Sequence, residues 1–161
     1  MTPAEGDAII AQNFAPWVQA LNLRVVVCDA ASATLILPFD ASLVRVGGII
    51  CGQALMSAAD TAMVIAISSA LGGAKPMATV SQNISFMRPV AGAAGKDVEI
   101  VARVLKLGKS LVFGEVKMRA TGDARLAVHA TTTSPSCPEH WYSCAGFFFR
   151  RISYWDARSH G

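Results

Sequence analysis

The sequence predicts an α+β roll, an antiparallel sheet curved around one long central helix. Three observations point there. A run from Gly52 to Leu71 is apolar on nearly every side, so it calls for cover by other structure. Segments of alternating polar and apolar residues follow it, the pattern of antiparallel strands with one wet face. Hydrophobic residues make up 53% of the 161-residue chain and charged residues 16%, enough for a real core in one domain.

The elements can be justified in order. Ala4 to Leu21 carries an apolar stripe of Ile9, Phe14, Trp17, Val18 and Leu21 and reads as a helix, with Pro16 placed to break or kink it. Leu23 to Cys28 and Thr34 to Leu37 are short β-rich runs around an Asp29–Ser32 turn. Pro38 ends the second run, and Phe39 to Gly48 is a loop closing on Gly47-Gly48. The apolar helix from Gly52 is stopped by Gly72-Gly73. Ala78 to Phe86 alternates, with Thr79, Ser81, Asn83 and Ser85 on one face and Val80, Ile84 and Phe86 on the other. Val98–Leu107 and Leu111–Ala120 flank Gly108-Lys109-Ser110 as a hairpin, and Ala124 to Thr133 is the last strand. Residues 1–137 are thus expected to form a single domain. Residues 138–161 form an aromatic tail without clear period, either an added segment that docks on the body or an unusual chain end.

Composition also excludes function classes. The net charge of +3 is mild and the basic residues are scattered, which argues against nucleic acid as a partner. Cys28, Cys51, Cys137 and Cys144 form no CxxC pair, so reduced thiols are expected and no metal site. The run Ile49–Leu71 is long enough to suggest a membrane span, but it holds Gln53 and Asp60 and lacks basic flanks; a buried helix is the better reading. The acidic N-terminus carries no signal pattern, and a cytoplasmic location is expected.

The stretch Arg45-Val46-Gly47-Gly48-Ile49-Ile50-Cys51-Gly52-Gln53-Ala54-Leu55-Met56-Ser57-Ala58-Ala59-Asp60 resembles the helix-start motif of hotdog-fold thioesterases, in particular the phenylacetate-degradation (PaaI-like) type. Thr79 to Pro89, ending Phe86-Met87-Arg88-Pro89, is similar to that family's next strand, and the Leu107-Gly108-Lys109-Ser110 turn to its hairpin. The resemblance covers about residues 35–133 and implies a hotdog fold, an acyl-CoA thioesterase activity and a shared dimer site. It implies that the Gly52 amide polarises the thioester carbonyl, that Asp60 acts as general base or nucleophile, and that Thr79 positions water or the carboxylate. Arg45 stands where relatives often carry Asn, and Cys51 where they often carry His. Together with Gln53 and Met56 these are the expected substrate-binding positions. No cofactor is implied beyond the coenzyme A of the substrate.

The residues support this chemistry on their own terms. A helix start offers unpaired N–H groups to a developing oxyanion, and glycine lets the acyl group approach the backbone. Asp60 follows Gly52 by eight residues, ~12 Å along a helix. If both are catalytic, one chain's Gly52 works with another's Asp60, which points to a homodimer with antiparallel central helices, itself able to pair into a tetramer. Arg88 and Lys109 are candidate partners for coenzyme A phosphates. Two other readings stay open. One is a non-catalytic acyl-CoA binding protein, motivated by Arg45 and Cys51. The other is a hydratase or dehydratase, disfavoured because no His lies near the central helix. His129 is expected to sit on a strand face without a catalytic task.

Overall fold

The computed structural model describes residues 1–75, 77–93 and 95–136; the expected tail from Pro138 lies outside them. The first helix, α1 (Pro3–Asn13), starts at a capping box in which Thr2 and Glu5 satisfy each other's backbone N–H groups. The proline at position 16 does break the predicted helix: a short second helix, α2 (Pro16–Gln19), restarts there. Strands β1 (Arg24–Asp29) and β2 (Ser32–Leu37) then form an antiparallel pair. The expected loop before the central helix holds more structure than anticipated. Two two-residue strands, β3 (Val44–Arg45) and β4 (Ile49–Ile50), pair across a turn in which Gly47 and Gly48 take positive φ.

The central helix α3 spans Gly52–Ala70 and is closed by Gly72 and Gly73, whose N–H groups bond the Ser69 and Ser68 carbonyls. Four longer strands follow: β5 (Ser81–Phe86), β6 (Val98–Leu107), β7 (Leu111–Ala120) and β8 (Val128–Pro135). The β6–β7 hairpin falls at the expected residues. β8 begins four residues later than the expected Ala124, because Asp123 folds back on Arg125, accepting its backbone N–H at 2.9 Å and pairing its guanidinium at 2.8 Å. Likewise β5 begins at Ser81 rather than Ala78, which leaves Thr79 just ahead of the strand.

The main sheet is antiparallel throughout, in the order β1-β2-β6-β7-β8-β5. Its inner face presents Ala33, Leu35 and Leu37 from β2, Val98, Ile100 and Ala102 from β6, and Val112, Val116 and Met118 from β7, all essentially buried. Helix α3 lies on this face, chiefly against β2 and β6, and its Met63, Ile65 and Ile67 are fully buried. Burying a side chain of that size stabilises the fold by roughly 1.5–3 kcal/mol, so this helix–sheet seam is the core. Among the described residues no helix is long and apolar enough to cross a membrane.

Cover of α3 is not complete, contrary to what its all-round apolar sequence predicts. Gln53 and Met56 are exposed, and Ser57, Asp60 and Val64 are only half-buried. These positions recur every three to four residues and form one open stripe along the helix.

Candidate active site

The open stripe of α3 is bordered by β5 and the residues just before it, which run antiparallel to the helix and meet it at three points. At the helix start, a Cβ placed on Gly52 would lie 3.2 Å from Cζ of Phe86. One turn on, the Gln82 side-chain amide donates to the Met56 carbonyl at 3.0 Å. Another turn on, the Thr79 hydroxyl donates to Oδ1 of Asp60. The strand register thus sets which side chain faces which helical turn.

Asp60 sits half-buried in the middle of the helix. Its Oδ2 takes no hydrogen bond, and no Lys, Arg or His lies within salt-bridge distance of it, among the described residues. A carboxylate in such a place keeps one oxygen fixed by Thr79 and the other free to accept a proton or attack a carbon.

The helix start supplies the complementary charge. Cys51 caps α3 without a side-chain hydrogen bond, and its own N–H goes to the Leu43 carbonyl at 2.8 Å. The amides of Gly52, Gln53 and Ala54 find no acceptor among the described residues. Three unpaired donors at the positive end of a five-turn helix suit an oxyanion.

The expected substrate-binding residues fall into two groups. Cys51 and Gln53 lie at or on the first turn of α3 beside Gly52, and Met56 opens the second. Arg45 is on the small β3–β4 hairpin that leads directly into that turn; it is exposed, and its guanidinium bonds the Val46 carbonyl at 3.3 Å. Arg88 follows β5 and is exposed, close enough to Asp123 to help hold that carboxyl below the usual range, behind the larger effect of Arg125. Lys109 sits at the exposed tip of the β6–β7 hairpin. Neither Arg88 nor Lys109 makes an ion pair among the described residues.

Two residues of the site were not picked out from the sequence. Gln82 shares the strand parity of Val80, Ile84 and Phe86, so a polar residue on an otherwise apolar face was the signal available. Its Oε1 is buried and takes no hydrogen bond among the described residues. Phe86 stood in the Phe86-Met87-Arg88-Pro89 strand end without a role, because its contact with Gly52 depends on where the strand is laid. His129, on β8, meets Glu115 of β7 at 3.3 Å, a strand-face position as expected. Among the described residues no cluster of three or more His, Cys, Asp or Glu is placed to hold a metal ion.

Comparison with known proteins bears on the family and the fold. Residues 47–127 match the family model described as the thioesterase superfamily. A presumptive esterase of Thermoplasma volcanium is 36% identical over 91 residues, which cover 52% of this chain and 59% of that relative. The match therefore spans less than two thirds of the relative's length. Among solved structures, a conserved protein of Pseudomonas aeruginosa is 31% identical, with a TM-score of 0.68 over 78% of this chain and 96% of that one. The PaaI protein of E. coli, from the phenylacetic acid degradation operon, is 23% identical, with a TM-score of 0.65 over 82% of this chain and 90% of that one, and so shares the fold.

Proposed function

Since this chain belongs to the thioesterase superfamily and has its hotdog fold, we propose that it is an acyl-CoA thioesterase in which Asp60 acts on a carbonyl polarised by the start of α3. The observation that carries this reading is the Thr79–Asp60 hydrogen bond on the open stripe of the helix, in line with the unpaired Gly52 amide. The thioester oxygen accepts from the Gly52 N–H. Asp60, oriented by Thr79, either takes a proton from the attacking water and returns it to the leaving sulfur, or attacks the carbonyl carbon itself. Direct attack expels a thiolate that water protonates and forms a mixed anhydride that a water then hydrolyses to the free acid. Either way coenzyme A leaves as the thiol and Asp60 is restored. Arg45, Cys51, Gln53 and Met56 border the substrate around the first helical turn, and Arg88 and Lys109 offer charge to the phosphates of coenzyme A.

The proposed working unit is a homodimer. Gly52 and Asp60 stand ~12 Å apart along one helix, too far to serve one carbonyl. Strand β5 pairs only with β8 among the described residues, so its other edge is open to a second chain. Val80, Phe86 and Met87 beside that edge are 56%, 48% and 51% exposed. A two-fold axis normal to the sheet and passing β5 at Asn83 sets that residue opposite its own copy and brings the stretch around Thr79 of one chain alongside the stretch around Phe86 of the other. It thereby carries Asp60 of one helix to Gly52 of its mate and yields two equivalent sites. Further pairing into a tetramer is compatible with this arrangement.

The test is thiol release from a panel of aliphatic and aromatic acyl-CoA thioesters. The expected outcome is hydrolysis of at least one class. Binding of acyl-CoA with no thiol released across the panel would favour the non-catalytic binding protein instead.

A further inference from the structure

Phe86 stands against the helix start at Gly52, and the catalytic scheme gives it no task. Its ring tip points at the bare Cα of Gly52: a Cβ there would stand 3.2 Å from Cζ and 3.6 Å from both Cε atoms. The base of the ring is anchored. Phe86 pairs with Val128 at the end of β5, and the next two amides, of Met87 and Arg88, both donate to the Ala127 carbonyl, at 2.9 and 3.1 Å. Yet the side chain is 48% exposed. At the proposed dimer interface, a phenyl ring held against the Gly52 backbone, beside amides unpaired among the described residues, borders the thioester site rather than filling the core of its own chain.

We propose that Phe86 is the specificity-determining wall of the acyl pocket, limiting the bulk of the acyl group next to the thioester carbonyl. The inference rests on the acyl-CoA reading above. An oxygen accepted by the Gly52 amide lies about 2.9 Å from that nitrogen. The carbonyl carbon and its two substituents, the acyl carbon and the sulfur, follow within two bonds. Whatever borders Gly52 therefore touches one of those substituents. The ring offers no hydrogen bond to the amides of a pantetheine arm, whereas it packs well against an acyl chain. A larger acyl group must displace a ring whose backbone is fixed, and that costs binding in the transition state.

The experiment measures kcat/KM for acetyl-, hexanoyl-, benzoyl- and decanoyl-CoA with wild type, Phe86→Tyr, Phe86→Leu and Phe86→Ala. Phe86→Ala is expected to raise the decanoyl-to-acetyl ratio by about tenfold or more, with Phe86→Leu between and Phe86→Tyr close to wild type. An equal change for every substrate, as would follow if the ring faced the pantetheine or served only folding, overturns the role of Phe86 and leaves the hydrolase reading standing. Wild type that hydrolyses nothing overturns that reading instead. The same ladder, read as Kd for S-alkyl-CoA thioethers of rising size, then decides Phe86: a size-dependent shift supports the wall, and a uniform one overturns it.

Discussion

Asp60 is an acid in an otherwise uncharged helix, and its only bonded partner among the described residues is a hydroxyl. A half-buried carboxylate on an apolar helix, with no counter-charge beside it among the described residues, has no part in ordinary packing, which is the physical reason to give it a task. In the proposed mechanism Asp60→Asn keeps the shape and removes the base. It should lower kcat on the order of a hundredfold or more, the range for loss of general base catalysis, while the thermal midpoint changes little. Thr79→Val removes the orienting donor only, so its loss of kcat should be smaller and KM should hold. Stopped-turnover assays on the two variants check the order; Asp60→Asn at the wild-type rate would end the assignment. At this scale the sequence was most informative where a residue type was out of place, as with a carboxylate in an apolar helix. Phe86 was marked only as part of a strand-end motif, and nothing in its type set it apart from the other apolar residues of its strand.

At the scale of elements, the sheet carries both packing and charge. On its outer face, Glu115 of β7 bonds Lys117 at 2.9 Å and His129 of β8 at 3.3 Å. The Lys117 ammonium, helped by His129 and opposed by partial burial, holds the Glu115 carboxyl below its ordinary range. A lowered folded-state value stabilises the fold at pH above the unfolded carboxyl's value, and that contribution is lost as pH falls through the lowered one. Glu115→Gln should therefore be less stable than wild type at neutral pH, by up to about 1 kcal/mol for a largely solvated pair. The two urea midpoints should converge below the usual carboxylate range; a gap that persists in acid would contradict this origin. The β6–β7 hairpin was legible to the residue, since Gly108-Lys109-Ser110 marks the turn and Val116 and Met118 alternate with Glu115, Lys117 and Arg119; the register shift between Val104 and Lys106 left no mark. The start of β8 was not, because Leu126 and Ala127 are apolar enough to extend a strand, while the Asp123–Arg125 turn that prevents it is a local polar bond. The β3–β4 hairpin was hidden for a similar reason: two-residue strands leave no period to read, and only the Gly47-Gly48 pair marked the turn.

For the whole molecule, one open helix stripe and one open sheet edge lie side by side, and the proposal closes both with a second copy. The helix read as apolar all round because its open stripe is narrow, with Gln53, Ser57 and Asp60 set among Met56, Val64 and the buried residues of the other faces. That is why the sequence predicted full cover and the single chain leaves Gln53, Met56 and Asp60 accessible. The central claim, that Gly52 of one subunit and Asp60 of the other form each site, is tested most directly by complementation. Asp60→Asn and Gly52→Val proteins, each expected to be nearly inactive, are mixed under conditions that exchange subunits, and thiol release is measured. With shared sites, random exchange makes about half of the dimers mixed, each with one intact site of its two, and activity should recover to roughly a quarter of wild type. If each chain carries a whole site, no combination restores one, and a mixture as inactive as its parents would contradict the account.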